Sequence, residues 1–379
     1  MKNNLLALCV FVTFSASVSA QVNNPIVTAV PSLSIAPDAR AGGMGDIGAA
    51  TTPDINSQFW NPAKYVFMES DAGVSVSYTP WLRKLVSDID LAYISGYWKF
   101  EQRSALSASL RYFSLGDITF MDQLGYPQGS AHPNELAVDL AYSRMLSDKL
   151  SAAATLRFIY SDLNNGINLA GGSEMYPGSS VAADISAFYK TPITLQSVDG
   201  SLAFGINISN IGSKISYDQN ETSNFIPTNL RIGSSFDYPI DNYNKISVSA
   251  DINKLLVPTP KLNQTAADIA AYNKLSPIAG IFQSFSDAPG GFKEEMEEIM
   301  WSVGAEYAYN NQFFVRGGYF NENQFKGNRK YFTAGAGFKL NVFQLDAAYV
   351  ISTSQSNPLD QTLRFSLSFD LFGLKNLVR

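Results

Sequence analysis

The sequence of 379 residues contains one cysteine, Cys9, and one histidine, His132. Residues 1–20 have a positive start, an apolar core and a small-residue end, which is the pattern of a cleaved signal peptide. We therefore expect residues 1–20 to be removed, and Cys9 with them. A mature chain without cysteine excludes disulfide bonds, thiolate catalysis and cysteine-ligated metals.

Catalytic and cofactor-binding motifs are also scarce. His132 precedes Pro133 in a predicted loop, which is a poor position for the base of a serine hydrolase. The sequence has no glycine-rich phosphate loop between a strand and a helix, and no His/Cys spacing typical of a metal site. We predict no catalytic, cofactor-binding or metal-binding residues, and hence a protein that is not an enzyme.

Charge is sparse. Charged residues make up 16% of the sequence, against about a quarter in typical soluble domains. The 27 basic residues are outnumbered by 33 acidic ones and form no basic stripe. Nucleic acid is therefore excluded as a partner, because phosphate binding needs clustered positive charge. The 25 Phe, 19 Tyr and 4 Trp residues instead suit a surface that faces something other than water.

After residue 20, no apolar run approaches the ~20 residues that a membrane-spanning helix requires. From residue 72 onward the dominant pattern is alternation at period two, which indicates strands with one apolar face. Several runs reach the ~9–11 residues that a tilted membrane-spanning strand needs. We predict fourteen strands at 72–80, 88–98, 104–114, 134–145, 149–161, 179–190, 200–210, 228–238, 244–254, 300–309, 312–320, 330–340, 343–351 and 361–371.

The connections between these strands alternate in length. The short ones are 146–148, 239–243, 310–311 and the stretch around Asn341, and the long ones are 115–133, 162–178, 211–227 and 255–299. Short turns at one end and long loops at the other are typical of an outer-membrane barrel, with the short turns on the periplasmic side. We predict an all-β fold, a transmembrane antiparallel barrel over 72–379 with a long extracellular loop at 255–299 and both chain termini in the periplasm.

A soluble β-sandwich would also show alternating strands. Two features favour the barrel. Aromatic residues near strand ends resemble the girdles at a membrane interface: Tyr93, Tyr97, Trp98, Trp301, Tyr307 and Tyr309. Charged residues fall on the small polar face of the strands, away from lipid: Arg111, Arg157, Arg231, Arg316, Arg364, Asp139, Asp184, Asp251 and Asp346.

Residues 21–71 differ from the barrel region. Prolines interrupt the segment, and the run Ala41-Gly-Gly-Met-Gly45 suggests a backbone too flexible for regular structure. Fourteen strands enclose a lumen wider than that of an eight-stranded barrel, whose interior side chains fill it. We expect residues 21–71 to fold into this lumen as a plug; the alternative is a periplasmic tail.

The same segment carries a recognisable motif. Its parts are Ala36-Pro-Asp-Ala-Arg40-Ala-Gly42-Gly43-Met-Gly45, then Ala49-Ala50, then Phe59-Trp60-Asn61-Pro62-Ala63. This motif resembles that of outer-membrane barrels related to the FadL fatty-acid transporters, and within them the PorV family of the Bacteroidetes type IX secretion system. The resemblance implies fourteen strands with a plug, in which Arg40, Gly42, Gly43, Gly45, Asn61, Pro62 and Ala63 form the plug motif.

The motif also has a physical reading. Asn61 before Pro62 favours a turn, because Asn caps its own backbone and Pro fixes φ. Arg40 and Asp38 are candidates to pair with lumen charges such as Asp139, Asp184 or Arg157. A solvated pair of loops is the alternative.

The long loops contain apolar residues. Within 255–299, Ser276 and Pro277 suit the start of a helix with an apolar stripe: Ile278, Ile281, Phe282 and Phe285. A second helix is predicted after Gly290-Gly291. Loop 115–133 contains Phe120, Met121, Leu124 and Tyr126. We predict partner binding by Phe120, Tyr126, Ile281, Phe282 and Phe285; packing on the barrel mouth or contact with the outer leaflet are the alternatives.

Three functions compete. The resemblance implies a non-enzymatic secretion component that lies in outer-membrane lipid and binds three partners: the SprA translocon, the PorU sortase-containing attachment complex and the C-terminal signal domains of secreted cargo. The alternative is FadL-like transport of hydrophobic solutes, for which the predicted inward face, rich in Ser, Gly, Asp and Arg, is unsuited. A lipid-modifying enzyme would lack a convincing base.

Overall fold

The computed structural model describes residues 24–83, 86, 88–121, 124–163, 175–195, 198–218, 222–261, 265–353 and 359–377. The predicted signal peptide, residues 1–20, lies outside these ranges. The strands are β1 Ala72–Pro80, β2 Ile89–Glu101, β3 Ser104–Leu115, β4 Ile118–Met121, β5 Pro127–Ala131, β6 Asn134–Ser147, β7 Leu150–Asp162, β8 Gly178–Leu195, β9 Val198–Gly212, β10 Asn229–Pro239, β11 Asn244–Leu255, β12 Met300–Tyr309, β13 Phe313–Asn321, β14 Lys330–Leu340, β15 Phe343–Ser352 and β16 Leu363–Asp370. The α-helices are α1 Ala39–Gly42, α2 Ser57–Trp60, α3 Ala266–Lys274, α4 Pro277–Gln283, α5 Phe292–Glu297 and α6 Leu371–Leu377, and two 3-10 helices span Pro31–Ser34 and Pro62–Phe67.

Fourteen of these strands form one closed antiparallel barrel. Each strand pairs with its neighbours in sequence, except that β3 pairs with β6 because β4 and β5 form a separate hairpin. Pairing of β1 with β16, with Val76 opposite Leu367, closes the barrel. Closure leaves no strand edge without hydrogen bonds, as a membrane requires. The predicted fourteen-stranded antiparallel barrel is confirmed.

Among the described residues, no helix is both long enough and apolar enough to cross a membrane.

The two faces of each strand separate apolar from polar side chains. On β7, Leu156 and Phe158 are exposed on the outside, whereas Thr155 and Arg157 are buried inside. The nine charged residues predicted to face inward all do so, and eight of them are fully buried, with Arg231 partly exposed within the lumen. Period two therefore assigned the lipid and lumen faces correctly for these charges.

The aromatic girdle was predicted only in part. Trp98, Trp301, Tyr307 and Tyr309 lie on the exposed outer face. Tyr93 and Tyr97 were wrongly placed there, since both are buried in the lumen. The ring of Tyr97 stacks on Tyr65 of the N-terminal segment at a centroid distance of 5.0 Å. Tyr97 belongs to the plug contact because its aromatic partner lies inside the barrel, and the Tyr93 ring lies in the lumen beside the Arg111 guanidinium at 5.4 Å.

The two ends of the barrel differ as the connection lengths predict. The turn between β12 and β13 is built on Asn310 and Asn311, with φ of 53° and 50°, values typical of a tight hairpin turn. This end, where β1 begins and β16 ends, is called the short-turn mouth. The opposite end, which holds the hairpin β4–β5 and helices α3, α4 and α5, is called the long-loop mouth.

Residues 24–71 run through the lumen from one mouth to the other. At the long-loop mouth, the Asn24 backbone N–H donates to the Phe325 carbonyl at 3.2 Å. At the short-turn mouth, the Ser70 hydroxyl donates to Asp370 at 2.5 Å. The segment is a plug rather than a tail. The described chain starts at the opposite mouth from the end of β16.

The plug contains short helices where the sequence predicted none. Pro31 and Pro62 each occupy the first turn of a 3-10 helix, where a missing N–H costs nothing. The run after Ala39 begins as helix α1, with the Asp38 carboxylate accepting from the Ala41 N–H at 2.9 Å. Glycine-rich sequence was read as flexible, but tertiary contacts hold this backbone in place.

Arginine substitutions at two outward leucines provide a test of membrane depth. Leu156 lies in the middle of β7 and is 71% exposed, and Leu146 lies near the end of β6 and is 59% exposed. Arginine at midplane costs about 2–4 kcal/mol, and near the interface about 0–1 kcal/mol. We expect Leu156→Arg to reduce folding into lipid vesicles strongly and Leu146→Arg to reduce it little, measured by heat-modifiable gel mobility. Equal yields for the two variants would contradict the assigned lipid face.

Candidate functional site

Arg40 is the centre of an ion cluster that joins the plug to the wall. Its guanidinium donates to Glu306 on β12 at 3.1 and 3.0 Å and to Asp54 at 2.8 Å. Arg316 on β13 donates to the same Glu306 and to Asp346, each at 2.6 Å. The side chains of Arg316, Glu306 and Asp346 are almost fully buried. Glu306 and Asp346 give this part of the wall one more carboxylate than cations, and Arg40, which also binds Asp54, supplies a second cation.

In a second ion pair between plug and wall, the plug supplies the carboxylate and the wall supplies the guanidinium. Arg364 on β16 is buried and bonds Asp46 of the plug, and Tyr331 on β14 donates to the same carboxylate at 2.6 Å. A guanidinium of the wall is neutralised here by a carboxylate of the plug. Plug and wall are therefore joined by two buried ion pairs of opposite polarity.

The ion-pair partners predicted for the plug were wrong. Arg157 pairs with Asp139 at 2.6 Å and with Asp184 at 3.0 Å, so its charge is already paired within the wall. Arg40 pairs with Glu306 and Asp54 instead. Alternation at period two predicts that a charged residue faces the lumen. It does not predict the height or the side of the barrel at which its ion-pair partner lies.

Asp38 connects the two halves of the plug motif. Its carboxylate caps α1 and also accepts from the Trp60 indole N–H at 2.6 Å. Both side chains are buried. The Ala36–Gly45 and Phe59–Ala63 parts of the motif thus form one packed unit.

The plug glycines allow close contact with the wall. The Cα of Gly335 on β14 would lie 3.0 Å from a Cβ at Gly43, and a Cβ at Gly42 would press on Arg364. Gly45 has φ of +81° and lies against the backbone of Tyr319 on β13. A larger residue at Gly45 would be strained both by its φ and by this contact.

The Asn61-Pro62-Ala63 turn is anchored on both sides. The Asn61 side chain accepts from the Ala63 N–H at 3.1 Å and donates to the carbonyls of Ala49 and Ala187, each at 2.9 Å. Pro62 starts a 3-10 helix, and buried Ala63 packs beside Phe188. The predicted turn is present, and it also joins the plug to β8.

Sequence reasoning missed two buried groups of the plug contact. Lys64 is fully buried and donates to the Gly48 carbonyl at 2.8 Å and to Thr51 at 3.1 Å. Asp251 on β11 was assigned to the lumen without a role, and it accepts from the N–H groups of Gly48 and Ala49 at 2.8 and 3.0 Å. The only sequence feature that could have drawn attention to Lys64 is its position directly after Asn61-Pro62-Ala63.

The long-loop mouth carries three helices. The predicted helix α4 starts at Pro277, and the Ser276 hydroxyl accepts from the Ala279 N–H at 3.2 Å. The second predicted helix is α5, after Gly290-Gly291. Helix α3 was not predicted, although Thr265 and Asp268 form a capping box at its start.

The predicted partner-binding residues differ in exposure. Phe282 is 74% exposed and Phe285 is 50% exposed, whereas Ile281 is half-buried. Phe292 and Met296 of α5 are exposed as well. We call Ile278, Phe282, Phe285, Phe292 and Met296 the apolar face. Only Phe282 and Phe285 of this set were predicted to bind partners.

A buried network of ion pairs holds α5, which carries Phe292 and Met296 of this face, on the barrel. Lys254 donates to Glu295 and Glu298 at 3.1 and 2.6 Å, and Lys326 donates to Glu294 and Glu298 at 2.5 and 3.0 Å. The Asn24 amide donates to Glu294 at 3.3 Å and to the Pro260 carbonyl at 3.1 Å. The start of the plug therefore belongs to the support of α5.

The hairpin β4–β5 forms the other part of the mouth. Phe120 is half-buried on β4, whereas Met121, Leu124 and Tyr126 are exposed. The structure places Phe120 and Tyr126 in this hairpin, Ile281 and Phe282 on α4, and Phe285 just after α4. The five predicted residues therefore belong to two separate elements of the mouth. His132 bonds Asp117 at the base of the hairpin at 2.5 Å.

Asp287 is a carboxyl group at this mouth with a raised pKa. Burial raises the pKa of Asp287 to about 6, and the carboxylates of Glu295 and Glu298 contribute in the same direction. Its Oδ2 accepts from the Thr259 N–H at 3.1 Å, and its Oδ1 is buried without a partner among the described residues.

Comparison with known proteins bears on this arrangement. The family model described as "Type IX secretion system protein PorV" matches residues 18–262, well over half of the chain. The chain belongs to the PorV family. The predicted resemblance is thereby confirmed, and the match includes the whole plug motif. No curated protein sequence shows significant similarity to the chain.

Solved structures share the PorV-family chain's fold at low sequence identity. The P. putida toluene transporter TodX is 10% identical with a TM-score of 0.53, covering 89% of this chain and 98% of its own. The CymD monoaromatic hydrocarbon channel is 13% identical with a TM-score of 0.50, covering 88% and 97%. A Pseudomonas aeruginosa FadL homologue is 11% identical with a TM-score of 0.44, covering 92% and 100%. At these identities the likeness of TodX and CymD concerns the fold alone.

In the part of this PorV-family chain that the structure describes, no group of three or more His, Cys, Asp or Glu side chains is arranged to hold a metal ion.

Removal of Arg40 tests the plug anchor. Arg40→Gln leaves Asp54 without its cation and Glu306 with Arg316 alone, and breaking a buried pair costs about 3–5 kcal/mol. We expect a lower urea midpoint in detergent and ion conductance in planar bilayers above that of the intact protein. Arg103→Gln is the control, because Arg103 pairs with Asp148 on an exposed surface, where pairs contribute little. Equal conductance of both variants would contradict an anchoring role.

The raised pKa of Asp287 predicts a pH-dependent loop. A carboxyl that binds its proton more tightly in the folded loop makes the loop more stable as pH falls from about 6 towards its ordinary value near 3.8. We expect hydrogen exchange in 265–299 to show more protection at pH 5 than at pH 7.5, after correction for intrinsic exchange rates. Asp287→Asn should remove this difference by increasing protection at pH 7.5.

Asp268→Asn in the same loop is the matched control. Hydrogen bonds from Thr265 and Lys261 lower the pKa of Asp268, so loss of its charge should reduce protection of α3 at pH 7.5. The same response in both variants would show that the raised pKa of Asp287 has no effect on the loop.

Proposed function

We propose that the chain is a non-enzymatic outer-membrane component of type IX secretion whose long-loop mouth faces the cell exterior and binds protein partners. The partners proposed are the SprA translocon, the PorU-containing attachment complex and the C-terminal signal domains of secreted cargo. The short-turn mouth then faces the periplasm. Membership of the PorV family supports the secretion role, and the apolar face supports recognition at the mouth.

The apolar face is the single observation that carries the proposal. Five large apolar side chains on or next to α4 and α5 are exposed, among them Phe282 and Phe292. They belong to one loop, and exposed apolar patches are typical of interaction sites. Its aromatic residues are of the kind that dominates interface energies.

The support beneath the face favours binding without rearrangement. Lys254, Lys326 and three glutamates fix α5 on the barrel. Lys214 donates to the carbonyls of Tyr272 and Asn273 at 2.9 and 3.1 Å and so fixes the end of α3. Side chains on a rigid base lose less entropy on binding than side chains on a mobile loop.

The closed lumen argues against the alternative of hydrophobic solute transport. TodX and CymD are described as a toluene transporter and a monoaromatic hydrocarbon channel, but they share only the fold with this chain. A solute moving through this lumen would have to displace the plug with its buried pairs Arg40–Glu306 and Asp46–Arg364. An apolar solute offers those charges no replacement.

Serine substitutions on the apolar face test the proposal. We expect Phe282→Ser with Phe285→Ser to reduce recovery of the translocon and of cargo in pull-downs, and to reduce cargo export by at least about tenfold, because a few aromatic anchors carry most of an interface's energy. Ile240→Ser with Tyr243→Ser is the matched control, since both residues are exposed at the short-turn mouth. Heat-modifiable mobility confirms that both variants fold.

Normal export and normal partner recovery with the Phe282/Phe285 variant would overturn recognition by this face. If the control variant instead lost its partners, recognition would belong to the short-turn mouth. Uptake of radiolabelled toluene or oleate that depends on the intact protein would support the transport alternative.

A further inference from the structure

A small chamber lies inside the barrel between the plug and the long-loop mouth. Its volume is about 80 Å³. Apolar side chains of the plug and the wall form part of its lining, including Leu33, Trp60, Met300 and Phe320. The remainder is polar and includes three arginines, Arg157, Arg231 and Arg329. The chamber is therefore amphipathic, with positive charge on one side.

Two of the three arginines are neutralised by neighbours. Arg157 bonds Asp139 and Asp184, and its Nη1 also bonds the Asn210 side chain. Arg329 forms a bidentate ion pair with Glu322 at 2.8 and 2.7 Å. Asp46, the carboxylate in the lining, binds Arg364 and Tyr331. Each of these three charged groups therefore has an oppositely charged partner in direct contact.

Arg231 is different. Its Nε donates to the Asn253 side-chain oxygen at 2.8 Å, and its guanidinium lies over the Trp60 ring at 4.3 Å. Among the described residues, neither terminal nitrogen of Arg231 has an acceptor, and no carboxylate forms an ion pair with it. Asp251, two strand positions from the opposite residue of β11, attracts Arg231 electrostatically without bonding it, and its Oδ2 accepts from the N–H groups of Gly48 and Ala49. Arg231 thus leaves two donor groups free beside the chamber.

Asn253 adds a further donor. Its oxygen accepts from both Arg231 and Asn229, which fixes the amide orientation and leaves its NH₂ group as a donor. Asn253 is 5% exposed, and no described residue accepts from this NH₂. A side chain so deeply buried normally has all its polar groups bonded. The free donors of Arg231 and Asn253 both border the same chamber.

We propose that this chamber binds a short-chain carboxylate of two or three carbons. A carboxylate can accept two parallel bonds from a guanidinium, which is the strongest pairing available to arginine. The chamber is about half the size of an apolar cavity of ~150 Å³ that accommodates benzene, so acetate or propionate fits and a long alkyl chain does not. The alkyl group then packs on Leu33, Trp60 and Met300.

Such a ligand would join the plug to the wall. Arg231 belongs to β10, and Leu33 and Trp60 belong to the plug. A ligand that contacts both only in the folded protein stabilises that state by RT ln(1 + [L]/Kd), which rises with the concentration of free ligand. The chamber therefore makes plug stability depend on a small anion.

The test measures binding of acetate and propionate to the detergent-solubilised full mature protein by isothermal titration calorimetry in a zwitterionic buffer. We expect saturable binding of propionate, and at least tenfold weaker binding of propionamide and of octanoate. Propionate should also raise the temperature at which the heat-modifiable band is lost. Propionamide has the shape of propionate without its charge, so this comparison needs no variant.

Arg231→Gln should weaken propionate binding at least tenfold, and Arg231→Lys should retain part of it. Arg144→Gln is the matched control, because Arg144 is an exposed arginine without an ion-pair partner among the described residues. Three results would overturn the proposal: no saturable binding of propionate to the intact protein, equal binding of propionamide, or propionate binding that Arg231→Gln and Arg144→Gln reduce alike. If Arg231→Gln does not fold, the intact-protein comparison and Arg231→Lys decide.

Discussion

Charges inside a closed barrel have to be neutralised by other protein groups, and the rest of this structure depends on that constraint. Glu306, Arg316 and Asp346 leave the wall with one excess negative charge, and Arg364 leaves it with a positive one. Arg40 and Asp46 of the plug supply the two opposite charges. Fourteen strands also enclose more volume than wall side chains fill. Residues 24–71 therefore supply the charges that these wall groups require and fill part of the lumen.

The barrel could be predicted because lipid imposes a strict rule on every second residue. Charges at Arg157, Arg316 and Asp346 all fell on one parity, and the strand bounds followed from the same pattern. Ion pairing could not be predicted, because partners such as Arg40 and Glu306 lie 266 positions apart and meet only through barrel closure. Tyr93 and Tyr97 were assigned to the membrane interface because a tyrosine facing a buried aromatic has the same sequence signature as one facing headgroups.

Loop structure was predictable where its signals are local. Ser276-Pro277 marks the start of α4 because capping depends on neighbouring residues. The capping box of Thr265 and Asp268 was equally local and was missed, and the hairpin β4–β5 has no strong alternation. The glycine content of α1 predicted a flexible segment, but the segment is helical because wall residues such as Gly335 hold it by close contact. Its conformation depends on tertiary packing that no short stretch of sequence records.

Asn24 connects the plug with the apolar face. Its side chain bonds Glu294 of α5 and the Pro260 carbonyl, and its backbone bonds Phe325. Departure of the plug would remove these contacts from the network of Lys254, Lys326 and the α5 glutamates. A partner that binds α5 only in its ion-paired position therefore favours the seated plug. Because linkage between two equilibria is reciprocal, the seated plug favours that partner by the same free energy, and the lumen contents influence recognition at the mouth.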